Sequence, residues 1–221
     1  MKKNVYVSAS TEPVKLYQDI IEYAKEMQSI ADFLHCDVMD GKFVEKYNFD
    51  FNLIKNINSN TIIPLDVHLM TSEPLKDLKK YIEAGANIIT VHYEAFENKD
   101  NLVEAIKLIK EKKVLAGISL KPETFFKEIK PYCFDIDVVL VMSVEPGASG
   151  QKFIANMYNK IKEINEFRQQ NQLNFKIEVD GGVNKENAKI LRELGVDMFV
   201  SGNYIYKANN KELAISDLKG G

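Results

Sequence analysis

Three short runs in this 221-residue chain place histidine, aspartate or glutamate two positions apart: His35-Cys36-Asp37-Val38-Met39, Asp66-Val67-His68-Leu69-Met70 and Glu178-Val179-Asp180. A fourth is His92-Tyr93-Glu94. Side chains two apart share a face of an extended strand, so His35, Asp37 and Met39 point one way on one strand, and Asp66, His68 and Met70 on another. If strand ends bring them together, His35, Asp37, His68 and Asp180 supply two imidazoles and two carboxylates. That donor set suits zinc or another divalent first-row ion, and with positions left open to a substrate the site would be catalytic rather than structural. His92 either lines this site or supports it through a hydrogen bond from outside the ligand set. Met39, Met70 and Met142 each close a different strand and are expected to wall the site and exclude water.

Small residues cluster in three further places. The run Glu145-Pro146-Gly147-Ala148-Ser149-Gly150-Gln151 contributes Gly147, Ala148, Ser149 and Gly150; Gly181-Gly182 and Gly202-Asn203 follow later strands. Such positions let backbone N–H groups approach an anion, and they imply a small phosphorylated substrate held by main-chain donors rather than by a lysine cluster.

These residues meet only if their strands lie side by side and point the same way. Strand-like runs are expected at Asn4 to Ser10, Phe33 to Met39, Ile62 to Met70, Asn87 to His92, Val114 to Leu120, Val138 to Ser143, Phe175 to Asp180 and Asp197 to Ser201. Amphipathic stretches separate them, among them Leu16 to Met27, Leu75 to Ala84, Leu102 to Ile109 and Met157 to Phe167. Eight strands, each followed by a helix, predict an α/β fold of the (β/α)8 or TIM barrel kind, a single domain over residues 1–221. An open doubly wound sheet is the alternative. It usually carries a glycine-rich fingerprint after its first strand, whereas Ser8-Ala9-Ser10-Thr11-Glu12-Pro13 holds no glycine.

Composition narrows the function classes. The chain is 45% hydrophobic and 28% charged, with net charge −3 and no basic stripe, so nucleic acid is not an expected partner. No apolar run approaches the roughly 18–20 residues that cross a bilayer, and Met1-Lys2-Lys3-Asn4-Val5 opens no signal-like apolar segment; membranes are excluded and a cytoplasmic location is expected. Cys36 and Cys133 form no C-x-x-C pair, which argues against a disulfide framework or a thiolate zinc site.

Over nearly its whole length the chain resembles the ribulose-phosphate 3-epimerase family. The resemblance is carried by His35-Cys36-Asp37-Val38-Met39-Asp40-Gly41-Lys42-Phe43-Val44, Leu65-Asp66-Val67-His68-Leu69-Met70, Gly117-Ile118-Ser119-Leu120, Val141-Met142-Ser143-Val144-Glu145-Pro146-Gly147, Gly150-Gln151-Lys152-Phe153 and Glu178-Val179-Asp180-Gly181-Gly182-Val183. It implies a (β/α)8 barrel with one divalent metal ion, zinc or iron(II) with manganese or cobalt as alternatives, on His35, Asp37, His68 and Asp180. It further implies that Asp37 and Asp180 are acid and base, that a serine ending the first strand, Ser10 rather than Ser8, contacts the substrate, and that the protein is a homo-oligomer. The implied reaction interconverts D-ribulose 5-phosphate and D-xylulose 5-phosphate at C3 through an enediolate, as in the pentose phosphate pathway, with no organic cofactor.

The chain departs from the family's usual runs in several places. A usual Ser-Ile-Leu-Ser reads Ser10-Thr11-Glu12-Pro13, and His-Phe-Val-Pro-Asn reads Lys42-Phe43-Val44-Glu45-Lys46. Asn-Pro-Gly-Phe-Gly-Gly-Gln has become Glu145-Pro146-Gly147-Ala148-Ser149-Gly150-Gln151, Asn-Pro-Gly-Thr has become Lys121-Pro122-Glu123-Thr124, and a Ser-Gly-Ser ending is Ser201-Gly202-Asn203. These leave open a six-carbon substrate such as D-allulose 6-phosphate, or a sugar-phosphate binder without catalysis. A decarboxylase of the orotidine monophosphate type is disfavoured, because His68 stands where its Asp-x-Lys-x-x-Asp motif needs lysine.

Overall fold

The computed structural model describes residues 5–48 and 51–221. Met1 to Asn4, which open the chain and include the first residue of the expected strand Asn4 to Ser10, lie outside the described residues. The strands are β1 (Tyr6–Ser10), β2 (Phe33–Asp40), β3 (Tyr47–Asn48), β4 (Leu65–Met70), β5 (Ile88–His92), β6 (Leu115–Leu120), β7 (Val138–Met142), β8 (Lys176–Asp180) and β9 (Met198–Ser201). All but β3 run parallel to their neighbours, and β1 pairs with both β2 and β9, so the sheet closes on itself as a (β/α)8 barrel. The short β3 is a ribbon that turns back antiparallel on the end of β2, with Met39 opposite Asn48 and Asp40 opposite Tyr47.

The helices are α1 (Tyr17–Met27), α2 (Phe51–Asn60), α3 (Pro74–Glu83), α4 (Lys99–Glu111), α5 (Met157–Gln170), α6 (Lys185–Glu193), α7 (Asn203–Tyr206) and α8 (Lys211–Lys219). Their apolar stripes explain their seating: α1 buries Ile20, Tyr23, Ala24 and Met27, the spacing that one helix face requires. The outward strand side chains Leu34, Val67, Ile89, Ile118, Val139, Ile177 and Phe199 belong to the same apolar layer between barrel and helices.

Inward side chains stack in tiers from alternate strands. Phe33, Ile88, Val138 and Met198, each the first residue of its strand, form an apolar cluster that floors the barrel. Ser8, Asp66 and Glu178, from the intervening strands β1, β4 and β8, supply polar groups in the interior and are fully buried. Gly117 belongs to β6, where a Cβ would lie 2.3 Å from Thr90 Oγ1.

The expected strands differ from those observed mainly at their starts. The run from Ile62 begins only at Leu65, because Ile62 is 88% exposed and Pro64 has no N–H to give a neighbouring strand. The expectation of a helix after every strand fails once. Between β6 and β7 the chain makes two 3-10 turns, Phe126–Glu128 and Lys130–Tyr132. Pro131 blocks an α-helix there, since its ring would meet the carbonyl four residues back.

Candidate active site

β2 ends with His35 and Asp37 facing inward, and β4 and β8 bring His68 and Asp180 beside them. Asp37 Oδ1 lies 3.2 Å from His35 Nε2 and 3.1 Å from His68 Nδ1. Asp180 Oδ2 is 3.9 Å from His35 Nε2 and 4.0 Å from His68 Nδ1. One ligand atom from each of the four lies within 4.8 Å of the others, close enough to hold one ion.

Each imidazole is oriented from behind. Asp66 Oδ2 meets His35 Nδ1 at 2.5 Å and also accepts the Ser8 hydroxyl at 2.9 Å. His68 Nε2 lies 3.0 Å from His92 Nε2, and His92 Nδ1 lies 3.1 Å from Glu94 Oε2. With Glu94 accepting from His92 Nδ1–H and His92 Nε2 accepting from His68 Nε2–H, the relay would turn the lone pair of His68 Nδ1 toward a bound cation. The other oxygen of Glu94 accepts the Lys121 N–H at 2.8 Å. Two imidazole nitrogens with their far sides hydrogen-bonded, beside two carboxylates, fit zinc, iron(II), manganese or cobalt.

The electrostatics divide the two aspartates. Burial pushes Asp37 up, but His35 and His68 outweigh it and hold the carboxyl well below the usual range. Burial and then the charge of Asp37 push Asp180 up to about 6. Burial would lower His35, yet Asp66 and Asp37 hold it well above an ordinary histidine, so a cation binding there would displace a proton. Burial brings His92 down to about 4, so it is neutral in its bridging role. Glu178, beneath the site, is pushed well up by burial and by Asp66.

Above the four residues opens a cavity of about 320 Å³. Asp37 and Asp180 reach it, whereas His35 and His68 are fully buried below. Met39, Met70 and Met142 line it, as does Ser10, while Ser8 is turned to Asp66. Gly147, Ala148, Ser149 and Gly150 after β7, Gly181 and Gly182 after β8, and Gly202 and Asn203 after β9 add to the lining. Gly182 has φ +65°, and a Cβ there would lie 2.6 Å from the Phe153 nitrogen, so only glycine lets these two loops touch backbone to backbone. Ser143 pins the turn: its one hydroxyl proton is shared between the carbonyls of Asp180 (2.8 Å) and Gly181 (2.6 Å).

Sequence reasoning gave no role to Asp66, Glu178, Ser143, Glu12, Lys46 or Asn48. For Asp66 and Glu178 a signal existed, since each lies two residues before a proposed ligand and therefore on the same inward face. Glu12 lines the cavity, where its carboxylate holds the Lys46 ammonium and accepts Asn48 Nδ2 at 3.0 Å. No local pattern pairs Glu12 with Lys46 and Asn48; only the fold of β3 does.

Fold and site together define a (β/α)8 barrel whose candidate site lies at the carboxyl ends of its strands. The barrel is similar to solved structures of 3-keto-L-gulonate-6-phosphate decarboxylase from Vibrio cholerae (TM-score 0.71, 14% identity, 99% of this chain and 97% of that one) and of 3-hexulose-6-phosphate synthase (TM-score 0.70, 14% identity, 98% and 99%). At such identities the likeness shows the fold alone. The model of the ribulose-phosphate 3 epimerase family matches residues 8–206, and the chain belongs to that family. It is 38% identical to the ribulose-phosphate 3-epimerase of Bacillus subtilis, over 94% of this chain and 97% of that protein. It is 36% identical to that of Helicobacter pylori strain J99, over 94% and 95%.

Proposed function

We propose that this chain is a divalent-metal-dependent epimerase that interconverts D-ribulose 5-phosphate and D-xylulose 5-phosphate at C3, a step of the pentose phosphate pathway. The observation that carries the reading is the convergence of Asp37 and Asp180, from different strands, on one small cavity beside the imidazoles of His35 and His68. Inversion at C3 requires a proton to be taken from one face and another returned to the opposite face. Asp37 and Asp180, which reach the cavity from different strands, are suited to the two roles, Asp37 removing the proton and Asp180 returning one. One passage leaves Asp37 protonated and Asp180 ionised, the state from which the reverse reaction starts.

His35, Asp37, His68 and Asp180 would hold the metal. When bound it supplies a Lewis acid that lowers the pKa of the C3 proton and stabilises negative charge on the enediolate oxygens. The methionine walls restrict water around the enediolate. The glycine loops after β8 and β9 are suited to the phosphate, the usual phosphate region of such barrels.

The test is proton NMR of D-ribulose 5-phosphate in D2O with metal-loaded protein. Loss of the C3 proton signal together with the appearance of D-xylulose 5-phosphate is expected; binding without exchange would instead identify a sugar-phosphate binder. The small Ala148, in the wall where the family's usual run has phenylalanine, favours D-allulose 6-phosphate as the second substrate to try.

A further inference from the structure

Two departures from the family's usual runs touch each other. Glu12 stands where the run after the first strand usually has leucine, and Lys46 where the run after the second usually has asparagine. In the structure they form an ion pair across two loops, and the Glu12 side chain is only 6% exposed. Its second oxygen accepts Asn48 Nδ2 at 3.0 Å, and its own N–H donates to Ser10 Oγ at 3.1 Å. The carboxylate is near enough to Asp37 for their charges to repel. A wall that is apolar in the usual run is therefore polar here, and Lys46 balances the added charge beside Asp37.

We infer that Glu12, held by Lys46 and Asn48, is a specificity-determining residue whose carboxylate accepts a hydrogen bond from a hydroxyl of the ketose phosphate. The inference rests on the reaction proposed above. A carboxylate has about four acceptor positions, and the two protein donors leave room for another. Of the hydroxyls on a pentulose 5-phosphate, that on C3 belongs to the reacting centre, so the hydroxyl read by Glu12 is on C1 or C4. Met39, Met70 and Met142 also line the cavity and offer such a hydroxyl only weak acceptors.

The test compares the metal-loaded wild type with Glu12→Leu and Glu12→Gln, using D-ribulose 5-phosphate and its 1-deoxy and 4-deoxy analogues in the same exchange assay. In the wild type, one analogue should lose roughly 10–100-fold in kcat/KM, the scale of a hydrogen bond to a charged group. In Glu12→Leu that penalty should vanish, and KM for the full substrate should rise by a similar factor while kcat stays within about threefold. Should Glu12→Leu fail to fold, as circular dichroism would reveal, the near-isosteric Glu12→Gln replaces it, and its penalty should fall below about fivefold. Equal penalties in wild type and variants would overturn the inference and leave the Glu12–Lys46 pair as a tie between loops. A wild type that exchanges neither a pentulose nor a hexulose phosphate would overturn the proposed reaction as well, so the two failures are distinguishable.

Discussion

Asp37 lies between two imidazoles that hold it ionised, while Asp180, a few ångströms away, is pushed up by burial and by Asp37 itself. Neutralising either should lower the rate of C3 proton exchange by at least about 10²–10⁴-fold in Asp37→Asn or Asp180→Asn, read by NMR in D2O. The residues behind the imidazoles should act on metal affinity. His92→Ala, which removes the bridge from Glu94 to His68, is expected to weaken binding about 10–100-fold in chelator competition. Glu94 also gives a pH signature. Burial opposes its ionisation, but His92 and the Lys121 N–H bring it down to about 2, well below an ordinary glutamate. A depressed carboxyl stabilises the fold above its unfolded pKa and loses that contribution as pH falls through the folded one. Wild type should therefore exceed Glu94→Gln in urea stability by about 1–2 kcal/mol at pH 7, the gap closing between about pH 4.5 and 2. At this scale the sequence was most legible for side chains two apart on a strand, whose shared face is set by backbone geometry alone. It did not show that Asp66, rather than another acid, would seat His35, because that depends on the register between β2 and β4.

Among the elements, α5 shows how a helix is tied to the barrel by one residue. Arg168 is 9% exposed and donates to the carbonyls of Phe175 (3.0 Å) and Gly195 (2.8 Å), to Asn165 Oδ1 (2.8 Å) and to the buried carboxylate of Asp197. Arg168→Met leaves that carboxylate without its guanidinium, and a loss of about 3–5 kcal/mol is expected in urea unfolding. The amphipathic stretch Met157 to Phe167 anticipated the body of α5 but stopped one residue before this arginine, since a periodicity of apolar residues has no place for a buried charge. Strand starts were blurred for a related reason: Ile62 is as apolar as Leu65, yet Pro64 decides which of them joins the sheet. The ribbon β3 was not legible at all, because two residues carry no period.

For the whole molecule, an ion bound in the folded state and not in the unfolded one stabilises by mass action. A divalent cation at 100 times its dissociation constant should add about 2.7 kcal/mol, raising the melting temperature by roughly 5–10 °C, and excess chelator should reverse the gain. Differential scanning calorimetry with zinc, iron(II), manganese and cobalt would rank the ions by the same shift. The barrel itself was legible in the sequence because alternation of short apolar runs with helical stripes persists along the chain and leaves few ways to bury both. The apolar floor of Phe33, Ile88, Val138 and Met198 closes one end of that barrel. The interior is thus a well with one mouth, and arrivals and departures must take turns through it. Each epimer then holds the door against the other, so product should inhibit in a purely competitive pattern in both directions.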